Sequence, residues 1–195
     1  MALLDVHRRL LRSGMTHRIA LLPPASYHMT IFNGISYPNR HIDFPTDIAR
    51  DASEKACNDR FLEKLKGFDL GCDLPLRMRA LPAEAQINLY NILFEPADAI
   101  EHQKLRSLRD RLAAALNYRL DDHETYRFHI TLNYFFSTMD PREEADFAEL
   151  HQDIAGGFIA RTPVVELQKP EYVLFDDMYE FRRQLFLENR SGKAV

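Results

Sequence analysis

The stretch Tyr126-Arg127-Phe128-His129-Ile130-Thr131-Leu132-Asn133-Tyr134 constrains this chain more than any other. Read with the two-residue period of a β-strand, it sets Arg127, His129, Thr131 and Asn133 on one face and Phe128, Ile130 and Leu132 on the other. An ordinary half-buried strand alternates as well, but its polar face usually carries Lys, Glu, Ser and Thr. It has little reason to line up an imidazole, a hydroxyl and a guanidinium. A second copy stands nearer the N-terminus, in Tyr27-His28-Met29-Thr30-Ile31-Phe32, with His28 and Thr30 opposite Tyr27, Met29 and Ile31. In a strand each His and its Thr emerge on the same side, about 7 Å apart. His123-Glu124-Thr125 has the same spacing but lies in the acidic run Asp121-Asp122-His123-Glu124, without the apolar flanks of the other two. The plain alternative to a functional pair is two unrelated strands that each expose a histidine.

Two histidines facing one cleft suit a reaction that takes a proton at one end and gives one at the other. Imidazole is the side chain that serves as base or acid near neutrality, and each role contributes on the order of 100- to 10,000-fold. Threonine hydroxyls two residues on can donate to the non-bridging oxygens of a phosphate held between the rings. The arrangement fits phosphodiester cleavage and requires no metal.

His28-Met29-Thr30-Ile31 and His129-Ile130-Thr131-Leu132 resemble the paired His-x-Thr-x motifs of the two-histidine phosphoesterase superfamily, the LigT-like fold that includes RNA 2′,3′-cyclic phosphodiesterases. The resemblance implies a bilobal α+β fold, with two antiparallel β-sheets lining a central cleft, helices packed outside and a weak internal duplication. It implies metal-independent hydrolysis of a 2′,3′-cyclic or related nucleotide or RNA-end phosphate. His28 and His129 are then the catalytic residues, with Thr30 and Thr131 binding the phosphate. The long insertion from Asn33 to Pro45 and the acidic charge depart from compact members and put a transfer-RNA-sized substrate in doubt; a bacterial branch is the expected placement.

Around these four, Arg127 and Asn133 share the parity of His129 and would reach the cleft from a regular strand, Arg127 as a phosphate ligand. Phe32 shares the parity of His28 and either stacks on a base or fills the core. Tyr27, Tyr126 and Tyr134 fall on the opposite, core-facing parity.

With 195 residues, 46% hydrophobic and 28% charged, the chain has the composition of a soluble globular protein, read as a single two-lobed domain over 1–195. A net charge of −4 and a pI near 6.1 argue against binding long nucleic acid, which needs a basic surface. A small nucleotide or RNA-end phosphate is the expected partner. Only Cys57 and Cys72 are present, in no metal-like spacing, which fits a reducing compartment. No membrane span or signal peptide is evident, so the expected location is cytoplasmic, with no membrane partner and no cofactor. Met1 to Met15 carries Leu3, Leu4, Leu10 and Leu11 between His7, Arg8, Arg9 and Arg12, an amphipathic helix that packs on the body or meets a membrane surface.

Periodicity predicts strands over 18–22, 27–32, 74–80, 87–94, 126–134, 164–167, 172–175 and 181–187. It predicts helices over 47–66, capped by Thr46, over 99–116, and over 141–155, stopped by Gly156-Gly157. The loop holding Tyr37-Pro38, His41 and Phe44-Pro45 is read as a cleft rim or a plain connection. Arg77 and Arg79 are read as solvated edge-strand arginines rather than phosphate ligands.

Two rivals remain. A zinc site from His123, Asp121, Asp122 and Glu124 is disfavoured because adjacent side chains point apart, and a solvated acidic loop explains the run better. A catalytically silent nucleotide-binding or sensor module would keep the same cleft without turnover.

Overall fold

The computed structural model describes residues 2–36 and 40–190. Among the described residues, four α-helices and eight strands make an α+β fold whose ladders are all antiparallel. The helices are α1 (Ala2–Leu11), α2 (Glu54–Lys66), α3 (Ala99–Leu116) and α4 (Pro141–Arg161). The strands are β1 (Ile19–Leu21), β2 (Leu76–Ala80), β3 (Asn91–Pro96), β4 (Phe128–Thr131), β5 (Asn133–Phe135), β6 (Val164–Leu167), β7 (Glu171–Leu174) and β8 (Arg182–Phe186). They form a four-stranded sheet in the order β4-β3-β2-β6 and two ribbons, β1-β5 and β7-β8, so the described strands make three antiparallel sheets where two were expected.

One buried cluster joins these layers. Val6 and Leu10 of α1, Phe61 of α2, Leu105 and Leu108 of α3, and Phe147 and Phe158 of α4 meet Leu76, Met78, Ile92 and Ile130 of the sheet. The N-terminal amphipathic stretch is therefore a helix packed on the body through Val6 and Leu10, while Leu4 and Leu11 are exposed. Among the described residues no helix is long and apolar enough to cross a membrane.

Helix boundaries follow their caps. Asp98 accepts from the backbone N–H groups of Ile100 and Glu101, and α3 starts where expected, ending at Asn117 in the left-handed region (φ 51°). The helix expected from 47 starts only after Ser53, which accepts from Ala56 N–H. Upstream of it the Arg40 guanidinium donates to the carbonyls of Arg50 and Ala52, and Lys64 and Arg60 hold Asp47, so residues 46–52 form turns. Helix α4 begins at an Asp140–Glu143 capping box and runs straight through Gly156-Gly157. A Cβ on Gly157 would come within 3.3 Å of Arg9 Nη1, so this glycine serves the approach of α1 rather than a stop. Arg9–Asp153 and Arg161–Asp5 ion pairs flank the same crossing.

Strand β3 begins later than 87 because a buried side chain stands in for a neighbouring strand. Gln86 donates to the carbonyls of Leu81 and Leu93 and accepts from Leu93 N–H, leaving Ile87 outside and exposed. The stretch 126–134 is two strands. β4 pairs with β3, the chain turns at fully buried Leu132, and β5 then pairs with β1. Leu132 joins the two sheets, accepting from Leu22 N–H at 3.0 Å and donating to the Tyr90 carbonyl at 2.8 Å. Among the described residues, the stretch 27–32 pairs with no strand. Pro23-Pro24 and the short 3₁₀ turn Pro24–Ser26 lead the chain away from β1, and prolines supply no N–H for a partner strand. Tyr37 and Pro38 lie outside the described residues.

Candidate active site

Strand β4 presents His129 and Thr131 on one face, opposite Leu93 and Asn91 in register on β3, while Phe128 and Ile130 go into the core. The alternation read from the sequence holds there. His28 and Thr30 sit on the unladdered segment after the proline turn. Despite these different settings both imidazoles are anchored alike. Nδ1 of His28 lies 2.8 Å from the Ser26 carbonyl oxygen, and Nδ1 of His129 lies 2.8 Å from that of Arg127, in each case two residues back. A carbonyl only accepts, so Nδ1 donates in both rings and each neutral imidazole keeps its lone pair on Nε2. Each ring can thus take a proton at Nε2, or give one there once charged.

The rings differ in their surroundings. His28 packs against Phe181, ring centroids 4.2 Å apart at 54°, and Phe181 packs on Phe175 at 5.1 Å. Both phenylalanines belong to the loop between β7 and β8. Burial pushes the His28 pKa below the ordinary imidazole value; the bond to Ser26 opposes this and the charge of His129 pushes it further down. His129 is therefore close enough for His28 to feel its charge.

The threonines are tied in by tyrosines. Tyr126 shares a side-chain hydrogen bond with Thr30, and Tyr134 shares one with Thr131. Burial pushes the Tyr126 hydroxyl up to about 12, against the pull of the Thr30 bond, so it stays a neutral group. The Tyr126 ring also lies 6.2 Å from His129. Tyr126 thus touches a residue of each motif. Tyr126 packs against the core, as strand parity predicts, and reaches Thr30 as well, whereas Tyr134 is exposed, a correction explained by the sheet change at Leu132. Tyr27 is half-buried, with His7 Nδ1 at 3.1 Å from its hydroxyl.

The remaining expected residues divide. Arg127 is exposed and lines a cavity of about 350 Å³ beside Tyr126, with His102, Arg106, Arg109 and His123. Its carbonyl, rather than its guanidinium, is the group seen to act on His129. Asn133 is fully buried in β5 and neither end of its amide meets a protein partner, so it does not open to a cleft. The turn at Leu132 breaks the parity that placed it there. Phe32 is edge-on to Tyr118 and His123, each at 6.2 Å, which is packing rather than a free stacking face. Arg77 and Arg79 carry ion pairs, to Asp98 and Glu101 and to Glu95.

His123 corrects the reading of its run as a solvated loop. It is 2% exposed, and its Nε2 lies 2.9 Å from Asp110 Oδ1, whereas Asp121, Asp122 and Glu124 are exposed. Ligand atoms of Asp110, His123 and Glu124 lie within 4.8 Å of one another, a set that includes a residue from α3 invisible to local spacing. Arg106 and Arg119 already neutralise both carboxylates, so the set reads as an ion-pair network fastening this loop to α3. Phe181, Ser26 and the tyrosine partners of the threonines were not legible as site residues. The only local signal was the density of aromatic residues in Phe175-Asp176-Asp177-Met178-Tyr179-Glu180-Phe181.

Residues 1–88 match the family 2H-phosphodiest, described as a domain of unknown function (DUF1868). The matched segment contains His28 and Thr30 and stops before the second motif. No curated protein matches the chain. A solved structure of a conserved protein of unknown function from Agrobacterium tumefaciens strain C58 is similar in fold, with a TM-score of 0.85 and 25% identity. The similarity covers 96% of this chain and 78% of that one. The matched segment is less than half of the chain, and over that part, which carries the first motif, the chain is similar to the two-histidine phosphodiesterase family.

Proposed function

We propose that the protein is a metal-independent phosphodiesterase that opens a 2′,3′-cyclic or related phosphate on a nucleotide or an RNA end. The observation that carries this reading is the matched anchoring of two imidazoles, each held through Nδ1 with Nε2 free, near enough to influence one another. The similarity of residues 1–88 to the family 2H-phosphodiest supports phosphodiesterase chemistry. His28, kept neutral by burial, acts as base: its Nε2 takes a proton from water as the water oxygen attacks phosphorus. The phosphorus–oxygen bond to one ribose oxygen breaks, and His129, charged at the start, gives its Nε2 proton to that oxygen. The product is a phosphomonoester, and solvent returns the transferred proton from His28 to His129. The hydroxyls of Thr30 and Thr131 donate to the non-bridging oxygens, where negative charge accumulates in the transition state.

The test is turnover of 2′,3′-cyclic nucleotides and short RNAs with cyclic-phosphate ends, in EDTA, with 2′- and 3′-phosphate products resolved. Cleavage in EDTA supports the two-histidine mechanism, and the product isomer shows which oxygen leaves. Binding of these compounds with no product from any of them overturns it in favour of a silent nucleotide-binding module.

A further inference from the structure

Among the described residues, the segment bearing His28 and Thr30 has no strand neighbour, so something other than a sheet must set its distance from His129. A side chain that meets its backbone is Arg109, in the middle of α3 and 3% exposed. Nη1 donates to the Ile31 carbonyl at 2.6 Å, immediately after the first motif. Nη2 donates to the His123 carbonyl at 3.0 Å, in the turn that leads into the second. One rigid guanidinium fork therefore bridges the two motif-bearing stretches of backbone.

The setting of this charge is unusual. A buried charge is ordinarily matched by a carboxylate, yet here aromatic faces surround it: Tyr126 at 4.6 Å, Phe128 at 5.9 Å and Phe32 at 6.0 Å. Burial lowers its pKa, and Asp122 and Asp110 act on it only through space. The guanidinium stays charged all the same. Tyr126, the nearest of the three rings, is the residue that bonds Thr30 and borders His129. Arg109 thus meets the same geometry twice, once through the two carbonyls and once through its contact with the Tyr126 ring.

We infer that Arg109 is a positioning residue that sets the separation and orientation of the two histidine motifs. The inference rests on the proposed two-histidine reaction for its kinetic consequence. A displacement of about 1 Å in reacting groups costs on the order of 100-fold in rate. Lysine keeps the charge but is a point donor that cannot reproduce the fork, so R109K separates positioning from charge.

The experiment compares wild type, R109M, R109K, Y126F, H28A and H129A. Turnover of a 2′,3′-cyclic nucleotide is normalised to folded protein by circular dichroism, and the His28 ring is titrated by NMR. R109M and R109K should each lower kcat about 100-fold with KM changed far less, and Y126F should lower it by a smaller factor. Without reference to turnover, the His28 titration should move upward in R109M and R109K as the loosened segment admits water. Wild-type kcat in R109K, or an unmoved His28 titration in both arginine variants, overturns the inference. Should R109M fail to fold, R109K and Y126F carry the same comparison. Silent H28A and H129A beside an active R109K refute the positioning role alone, whereas active histidine variants refute the reaction itself.

Discussion

Replacing Phe181 with alanine tests the link between packing and acid–base chemistry. The Phe181 ring makes two aromatic contacts, with His28 at 4.2 Å and with Phe175 at 5.1 Å. At about 0.5–1.5 kcal/mol for each such pair, F181A should lower unfolding stability by roughly 1–3 kcal/mol. That is too little to unfold a protein of ordinary stability. The larger consequence is chemical. Burial is the main cause of the lowered His28 pKa, and this ring supplies part of that burial. Its removal lets water in, and the pKa should rise toward the ordinary value of about 6.5. A base must be neutral to act, so the acid limb of the kcat/KM profile should shift to higher pH. On that limb each unit of upward movement lowers the neutral fraction about tenfold. The assay is a rate profile on a 2′,3′-cyclic nucleotide from pH 4.5 to 8, paired with urea denaturation and an NMR titration of His28. An acid limb that stays put while the NMR value rises would remove His28 from the base role. An unmoved NMR value would refute the claim that Phe181 desolvates it.

Stability should also fall on the acid side of neutrality. His28, His123 and His151 all have pKa values lowered chiefly by burial, so the unfolded chain binds their protons more readily than the folded one. Their contribution is complete above the unfolded value of about 6.5 and is lost as pH falls from there through the folded values, with a limiting slope of about 1.4 kcal/mol per pH unit for each histidine. Urea midpoints at pH 7.5, 6.5 and 5.5 check this, and a flat profile would contradict the burial of these rings. Leu10 of α1 is fully buried, so L10A should cost about 2–5 kcal/mol, measured by denaturation. A cost under about 0.5 kcal/mol would mean α1 is not part of the core.

What was legible in the sequence was what depends on neighbours along the chain. The starts of α3 and α4 and the alternation of β4 are local patterns, and they are present as read. Gly156-Gly157 misled because a glycine's missing side chain can serve an end or an approach, and here Arg9 comes from a distant helix. The first motif misled in another way. An alternating sequence says which residues share a side but not whether a partner strand exists, and Pro23-Pro24 takes the chain where none does. The same limit hid Phe181, Tyr126 and Arg109, whose relation to the histidines is one of space and not of spacing.

The most direct test of the two-histidine account is the turnover of a 2′,3′-cyclic nucleotide in EDTA by wild type, H28A and H129A, each checked for fold by circular dichroism. The account predicts product from the wild type and loss of turnover in both folded variants. Wild-type-like rates in either variant would contradict it.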